Sequence, residues 1–279
     1  MNILVTGSDG FIGSNVIRLL SSDSNLKLFP GNRKSVNLYS QKSVESFIDK
    51  NEITDIVHCA IEGGHKNDKV EMFYNNLLMF ENLKRQSHKI RTFINIASGA
   101  EYDRRHSLYD VSTYDLGNSI PEDYYGLSKY LISMRVREMI GGVNLRVFGC
   151  FGRGERPDRM ISSSLKNYIN GKPIVIHQDR FMDFFYIDDL VYVINKFLYR
   201  DDSEYSYSEK DLNMSYDIKF KLSEVARIIN NLDDKKVPIV IQDATAGNDY
   251  CGMPPRWPFQ HHFIGWGRGI TEYYKSMKV

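Results

Sequence analysis

Cysteine is scarce in this chain. Cys59, Cys150 and Cys251 are odd in number, far apart and never in a Cys-x-x-Cys pair. That pattern excludes a disulfide framework, offers no thiolate metal site and fits a reducing cytoplasm. Net charge is nearly absent as well, with 36 Lys+Arg against 35 Asp+Glu, so no electrostatic case exists for a nucleic-acid or anionic-membrane partner. No apolar run is long enough to span a bilayer. Met1 leads straight into an apolar segment, without the basic region and cleavage site of a signal peptide. Internal repeats are lacking too. What is present is 279 residues, enough to bury a core that stands without staples.

Short apolar segments alternate with helix-period segments through the first half. Ile3–Val5, Leu26–Phe29, Asp55–Cys59, Thr92–Ala97 and Val143–Val147 read as strands. Between them, Val70–Leu83 reads as a helix whose apolar stripe is Val70, Phe73, Leu77, Leu78 and Leu83. Such alternation predicts right-handed crossovers and a doubly wound parallel sheet covered on both faces. After Gly149 the pattern loosens into a loop "GRGERPDR", a helix Met160–Ile169 and a strand in "KPIVIH". "DFFYIDDLVYVINKFL" reads as strand then helix, and the polar, aperiodic "DDSEYSYSEKD" as a solvated loop. From Leu222 follow a short helix, the strand Val237–Ile241, a Pro-rich stretch and a last helix near Gly269–Met277. The expected division is a dinucleotide-binding unit over residues 1–150, with 181–200 returning to it. A smaller C-terminal substrate unit is expected over 151–180 and 201–279.

Within "NILVTGSDGFIGSNVIRLL" the glycines Gly7, Gly10 and Gly13 stand at G-x-x-G-x-x-G spacing between a strand and a helix. Glycine there admits a tight turn, bares backbone N–H groups and lets a pyrophosphate lie at the positive end of the helix. Asp9, Phe11 and Ile12 share that turn, and Cys59 and Ala60 end the third strand, so all are expected to line a dinucleotide cofactor. About 20 residues on, where an acidic residue would bond a ribose 2′-hydroxyl, the chain has "GNRK". Arg33 and Lys34 suit a 2′-phosphate better, which favours NADPH over NAD(H).

"YYGLSK" puts Tyr125 and Lys129 at i and i+4, on one helix face. An ammonium there can lower the phenol's pKa and hold a ribose, leaving the phenol able to pass a proton. The spacing alone decides nothing, since it recurs at Tyr168/Lys172, Tyr192/Lys196 and Tyr274/Lys278. Context separates the first pair: it opens a helix after the fourth strand, whose end carries "NIASGAEY" with Ser98 as a second hydroxyl.

"TGSDGFIG", "DIVHCA", Asn76 in "NNLLMFENL", Ser98 four residues before Tyr102, "YGLSK", "LRVFGCFGRG" and "DFFYIDDL" occur together and in order. With them the chain resembles the extended short-chain dehydrogenase/reductases of the nucleotide-sugar epimerase/dehydratase type. The resemblance implies a Rossmann-type fold, NAD(P)(H), Ser98 and Tyr125 on the reacting sugar oxygen, and Lys129 on the nicotinamide ribose. It also implies Asn76 near the cofactor and a cytoplasmic homodimer built through helices that include the one carrying Tyr125. "EGGH" after "HCAI" and "VNLYSQKSVESFI" are most similar to GDP-fucose synthase-like 4-keto-sugar reductases.

Departures from the family pattern narrow the reading. Met182 stands where an Arg usually precedes "DFFYIDD", with Arg180 nearby; Gly149 replaces a substrate-contacting Asn, and the tail is shortened. Gly99-Ala100 replaces the Asp-Glu pair of the dehydratases. Ala100 and Arg159 occupy the places of the Cys and His with which epimerase-reductases invert neighbouring centres, leaving Cys150, His177 and His261/His262 as the alternatives. His58 follows a buried strand and reads as a core or cofactor-lining residue, and His65 ends "EGGH". The expectation is an NADPH-dependent reduction of a sugar keto group. The alternatives are an NAD-retaining epimerase or dehydrogenase, and a non-catalytic cofactor-binding protein, against which the intact Ser98/Tyr125/Lys129 set argues.

Overall fold

The computed structural model describes residues 1–63, 68–200 and 210–278; His65 and residues 201–209 of the polar segment lie outside them. In chain order the strands are β1 (Asn2–Thr6), β2 (Lys27–Gly31), β3 (Asp55–His58), β4 (Thr92–Ser98), β5 (Leu108–Val111), β6 (Gly142–Val147), β7 (Cys150–Phe151), β8 (Ile174–Gln178), β9 (Phe185–Tyr186), β10 (Asp211–Met214), β11 (Ile239–Asp243) and β12 (Tyr250–Gly252). The helices are α1 (Phe11–Leu20), α2 (Gln41–Lys50), α3 (Val70–Lys84), α4 (Tyr124–Arg137), α5 (Met160–Ile169), α6 (Ile187–Leu198), α7 (Leu222–Asn230) and α8 (Gly265–Met277).

Six strands form one parallel sheet in the order β10-β6-β4-β3-β1-β2. The central strands carry apolar side chains on both faces, as a sheet covered twice requires. Leu4, Ile56 and Phe93 enter one core with Met79, Phe80, Leu83, Ile132 and Val136, while their neighbours Ile3, Val5, Val57 and Ile94 enter the other with Val16, Leu190 and Val193. Pro30 is tolerated because β2 is an edge strand and needs no second partner. Register places Thr6 beside Gly31 and His58, and Ser98 beside Val147, so the strands end together along one crest. The order turns in opposite directions from β1, to β2 on one side and β3 on the other, which opens a crevice at that crest.

Three sequence expectations need correction. Asp211–Met214 pairs with β6 as the sixth strand, so the segment after 201 is not wholly outside the main sheet; four residues with two polar side chains give no periodicity to read. On α3 the buried residues are Met72, Asn76, Met79, Phe80, Asn82 and Leu83, whereas Val70 and Leu78 are exposed. Packing against α4 and the sheet rotates the core face away from the most apolar stripe. Finally, α8 starts at Gly265, four residues before the expected start.

Candidate active site

The turn after β1 is shaped by close approach. Gly7 has φ +65°, and a Cβ on it would stand 2.8 Å from the Ala60 backbone. On Gly13 a Cβ would come within 2.3 Å of the Gly7 carbonyl oxygen. Any side chain there would push α1 off the turn. Gly10 is the N-cap of α1 and offers no capping side chain, and the first turn holds no acidic residue. The first-turn N–H groups are therefore left for an anion at the positive end of a ten-residue helix. This donor set fits a dinucleotide pyrophosphate.

An open cleft of about 1610 Å³ runs along the crest. It is lined by Gly7, Asp9, Gly10, Phe11, Ile12 and Gly13 from that turn, Arg33 from the loop after β2, Cys59 and Ala60 after β3, and Ser98, Tyr125 and Lys129. Sequence positions up to 122 apart thus meet in one space. Asn76 is the exception. It is buried behind the wall, where its Oδ1 accepts the Glu62 N–H at 2.8 Å and its Nδ2 donates to the Glu62 carbonyl at 3.2 Å. It shapes the loop after β3 instead of lining the cleft.

Ser98 closes β4 and caps the short turn Gly99–Glu101, its hydroxyl accepting the Ala100 N–H at 3.2 Å. In return, the Glu101 carboxylate accepts the Ser98 N–H at 2.8 Å and pairs with the fully buried Arg146 at 2.8 Å. Arg146 also pairs with Asp211 at 3.0 Å. The serine loop is thereby fastened to β6 and β10. Glu101 is committed to this network and does not stand in for the acidic pair missing at Gly99-Ala100.

Asp123 caps α4 by accepting the Gly126 N–H at 2.7 Å, and its other oxygen pairs with Arg104 at 2.7 Å. Tyr125 therefore stands in the first turn of a capped helix and lines the same cleft as Ser98. Burial raises the phenol's pKa, and Ser98, Arg104 and Arg159 act to lower it. Lys129 is buried, and its Nζ donates to the Ile96 carbonyl at 2.7 Å. Burial brings its pKa down to about 8.

His58 donates to or accepts from Thr6 Oγ1 at 2.9 Å, and burial holds the imidazole neutral with a pKa of about 3. It is a core residue under the cleft. Burial pushes the Cys59 thiol up to about 12 and raises that of Cys150 well above its usual range. His177, His261 and His262 are exposed elsewhere, and among the described residues no histidine lines the cleft. Among those residues there is also no group of three or more His, Cys, Asp or Glu able to hold a metal, and no helix long and apolar enough to cross a membrane.

Several lining residues escaped the sequence reading: Arg104, Tyr250 and the carboxyl of Glu155, while Arg180, noted near the place of the family's arginine, does line the cleft. Glu155 is buried with neither oxygen in a well-formed hydrogen bond, and burial lifts its pKa to about 8 despite Arg159 nearby. An acidic residue in a Gly-Arg-Pro loop looks solvated in sequence. Tyr250 reaches the cleft from β12, which pairs with β5 in a separate two-stranded sheet.

The sequence pattern of the "NAD dependent epimerase/dehydratase family" matches residues 3–211. The chain belongs to this family. Among relatives, a GDP-6-deoxy-D-talose 4-dehydrogenase from Aggregatibacter actinomycetemcomitans is 26% identical over 210 residues, covering 71% of this chain and 70% of that one. Among solved structures, a GDP-mannoheptose C4 reductase from Campylobacter jejuni with NADP bound superposes with a TM-score of 0.82 at 18% identity, covering 100% of this chain and 98% of that one. A UDP-glucose 4-epimerase from Thermotoga maritima with UDP-glucose gives 0.79 at 16% identity, covering 100% and 99%. The family's members use a nicotinamide cofactor on nucleotide sugars, and the fold is that of the Rossmann-type short-chain dehydrogenase/reductases.

Proposed function

We propose that this chain reduces a keto group, at C4, of a nucleotide-linked deoxysugar with NADPH, in the synthesis of cell-surface polysaccharide precursors. The observation that carries the reading is the convergence of Ser98, Tyr125 and Lys129 on the cleft that the glycine turn opens. When bound, the cofactor supplies hydride. The bare N–H groups of the α1 turn receive its pyrophosphate. Lys129, with a pKa of about 8, is mostly charged at neutral pH and holds the nicotinamide ribose. Tyr125, its pKa raised by burial, is protonated there and gives its proton to the oxygen of the reduced carbon, while Ser98 donates to that same oxygen. Arg104 and Arg159 ease the phenolate that results.

Retention of configuration beside the ketone belongs to this reading. Ala100 carries no proton, an arginine side chain such as Arg159 presents donors only, and the buried Cys150 thiol is no base. The name of the talose 4-dehydrogenase relative also points to oxidoreduction at that carbon. NADPH is favoured by Arg33 and Lys34 in the cleft wall. A second reading, NAD retained by an epimerase, draws on Glu62, whose carboxylate lies 3.7 Å from Arg33 and suits a ribose hydroxyl. The protein acts as a homodimer through α3 and α4, where Val70, Tyr74, Leu78 and Tyr124 are exposed apolar or aromatic side chains.

NADPH oxidation against GDP-, CDP-, UDP- and dTDP-linked 4-keto-sugars tests the reduction. Turnover of one of them with net NADPH consumption is expected. Isolation of the protein with tightly held NAD, together with interconversion of an unoxidised nucleotide sugar, would overturn it in favour of the epimerase. Light scattering after size exclusion tests the dimer.

A further inference from the structure

Tyr125 is held by its backbone from outside its own helix. The Tyr124 and Tyr125 N–H groups, the first two of α4, donate to the two carboxylate oxygens of Asp68 at 3.1 and 2.9 Å. The third, on Gly126, goes to Asp123. Asp68 stands 57 residues before Tyr125, just ahead of Lys69, the N-cap of α3. On its other side the Tyr125 carbonyl accepts the Ser128 hydroxyl at 2.9 Å, and the Ser128 oxygen in turn accepts Nδ2 of Asn76, on α3, at 3.3 Å. Both backbone groups of Tyr125 are thus keyed to the chain that follows β3, where Asn76 also grips Glu62.

The first N–H groups of a helix have no partner within it, and the N-cap Asp123 side chain satisfies only the one on Gly126. A first turn whose other N–H groups are left to water frays, and a side chain carried on that turn moves with it. Asp68 is exposed, so water can take its place as acceptor at little cost in stability. Water cannot supply a fixed direction. We propose that Asp68 is a positioning residue: its carboxylate clamps the first turn of α4 to the start of α3 and thereby fixes where the Tyr125 phenol stands in the cleft. This rests on the reading of Tyr125 as proton donor. A misplacement of about 1 Å at a reacting group can cost about 10² in rate, so an acceptor that adds little stability can weigh heavily on turnover.

The test compares Asp68→Ala, which removes both acceptor oxygens, with Asp68→Asn, which keeps one and loses the charge, each in the full chain. Amide hydrogen exchange of protein labelled with ¹⁵N-tyrosine reports the clamp with no substrate present, the Tyr125 signal being assigned by its loss in Tyr125→Phe. Asp68→Ala should speed exchange at Tyr125 about tenfold and leave Tyr130, further along α4, unchanged. With keto-sugar, Asp68→Ala should lower kcat about tenfold while KM, NADPH affinity and thermal midpoint stay close to wild type, and Asp68→Asn should recover most of that loss. Unmoved exchange at Tyr125, equally faster exchange at Tyr130, or a kcat for Asp68→Ala within about threefold of wild type would each overturn the proposal. So would a fall in kcat matched by falls in cofactor affinity and thermal midpoint, which marks a merely structural role, or an Asp68→Asn as slow as Asp68→Ala, which makes charge the cause. Should the wild-type protein turn over no keto-sugar, the reduction reading fails while the exchange arm still decides the clamp on Tyr125.

Discussion

At the end of the cleft that holds Ser98 and Lys129 these residues are 7% and 4% exposed, with Arg146 and Glu101 fully buried. At the other end Arg33 presents its side chain 91% exposed, beside a Glu62 that is 28% exposed. The same residue types therefore carry different energetic weight. Where water is excluded, a hydrogen bond or ion pair is costly to leave half-made; where water is present, screening and side-chain entropy leave a pair worth little. The proposed chemistry lies at the first end and the proposed cofactor recognition at the second.

The contrast can be broken most forcefully at Tyr125. Tyr125→Phe should lower turnover by about 10²–10⁴, the usual share of a general acid, with cofactor affinity retained because the ring still packs. Steady-state kinetics within about tenfold of wild type would remove Tyr125 from the chemistry. Next comes the brace. Arg146→Met leaves Glu101 and Asp211 buried without their common partner and should cost about 3–5 kcal/mol in urea unfolding. A loss below about 1 kcal/mol would mean that the network is dispensable.

Glu155 sharpens the comparison through pH. Its folded pKa of about 8 lies above the ordinary carboxyl value of 4.5, so the folded protein holds that proton more tightly than the unfolded chain. Stability from this group is fully present below about pH 4.5 and is lost as pH climbs towards 8. Glu155→Gln should thus match wild type near pH 5 and exceed it by roughly 2 kcal/mol near pH 8 in thermal or urea unfolding. A constant difference across that range would refute the buried acid.

At the exposed end the effect should be small. Arg33→Ala should weaken NADPH binding only about three- to tenfold, less in high salt, and leave NADH unchanged, as read by fluorescence titration. A hundredfold loss would show that the cofactor buries Arg33. The smallest expected effect is none: with a 4-keto-6-deoxy nucleotide sugar turned over in D₂O, NMR should find no deuterium at C3 or C5. Exchange at either carbon would identify an overlooked base, with Glu155 the first to substitute.

Strand and helix alternation, the glycine turn and the Tyr125/Lys129 pair were legible because each is a local pattern. Apolar period records burial on one or two faces, and Gly7 and Gly13 record contacts within a few residues or with the adjacent strand. Ser98 was legible from its place at the end of β4. Arg104, Glu155 and Tyr250 were not, since nothing in their own neighbourhoods distinguishes them from surface residues. Their roles come from what stands opposite them. The α3 stripe failed for a related reason: apolar content along a helix does not say which face meets the sheet.

The sequence by itself thus determined the doubly wound sheet, the glycine turn and the candidate hydroxyls and lysine, since backbone sterics, periodicity and i to i+4 spacing act over short range. Only the tertiary structure decided the sixth strand at Asp211–Met214, the commitment of Glu101 to Arg146, the arginines that act on Tyr125 and the place of Tyr250 in the cleft wall. Those depend on burial and on distances between groups up to 152 residues apart, and desolvation and charge interaction acquire values only once the chain has closed around them.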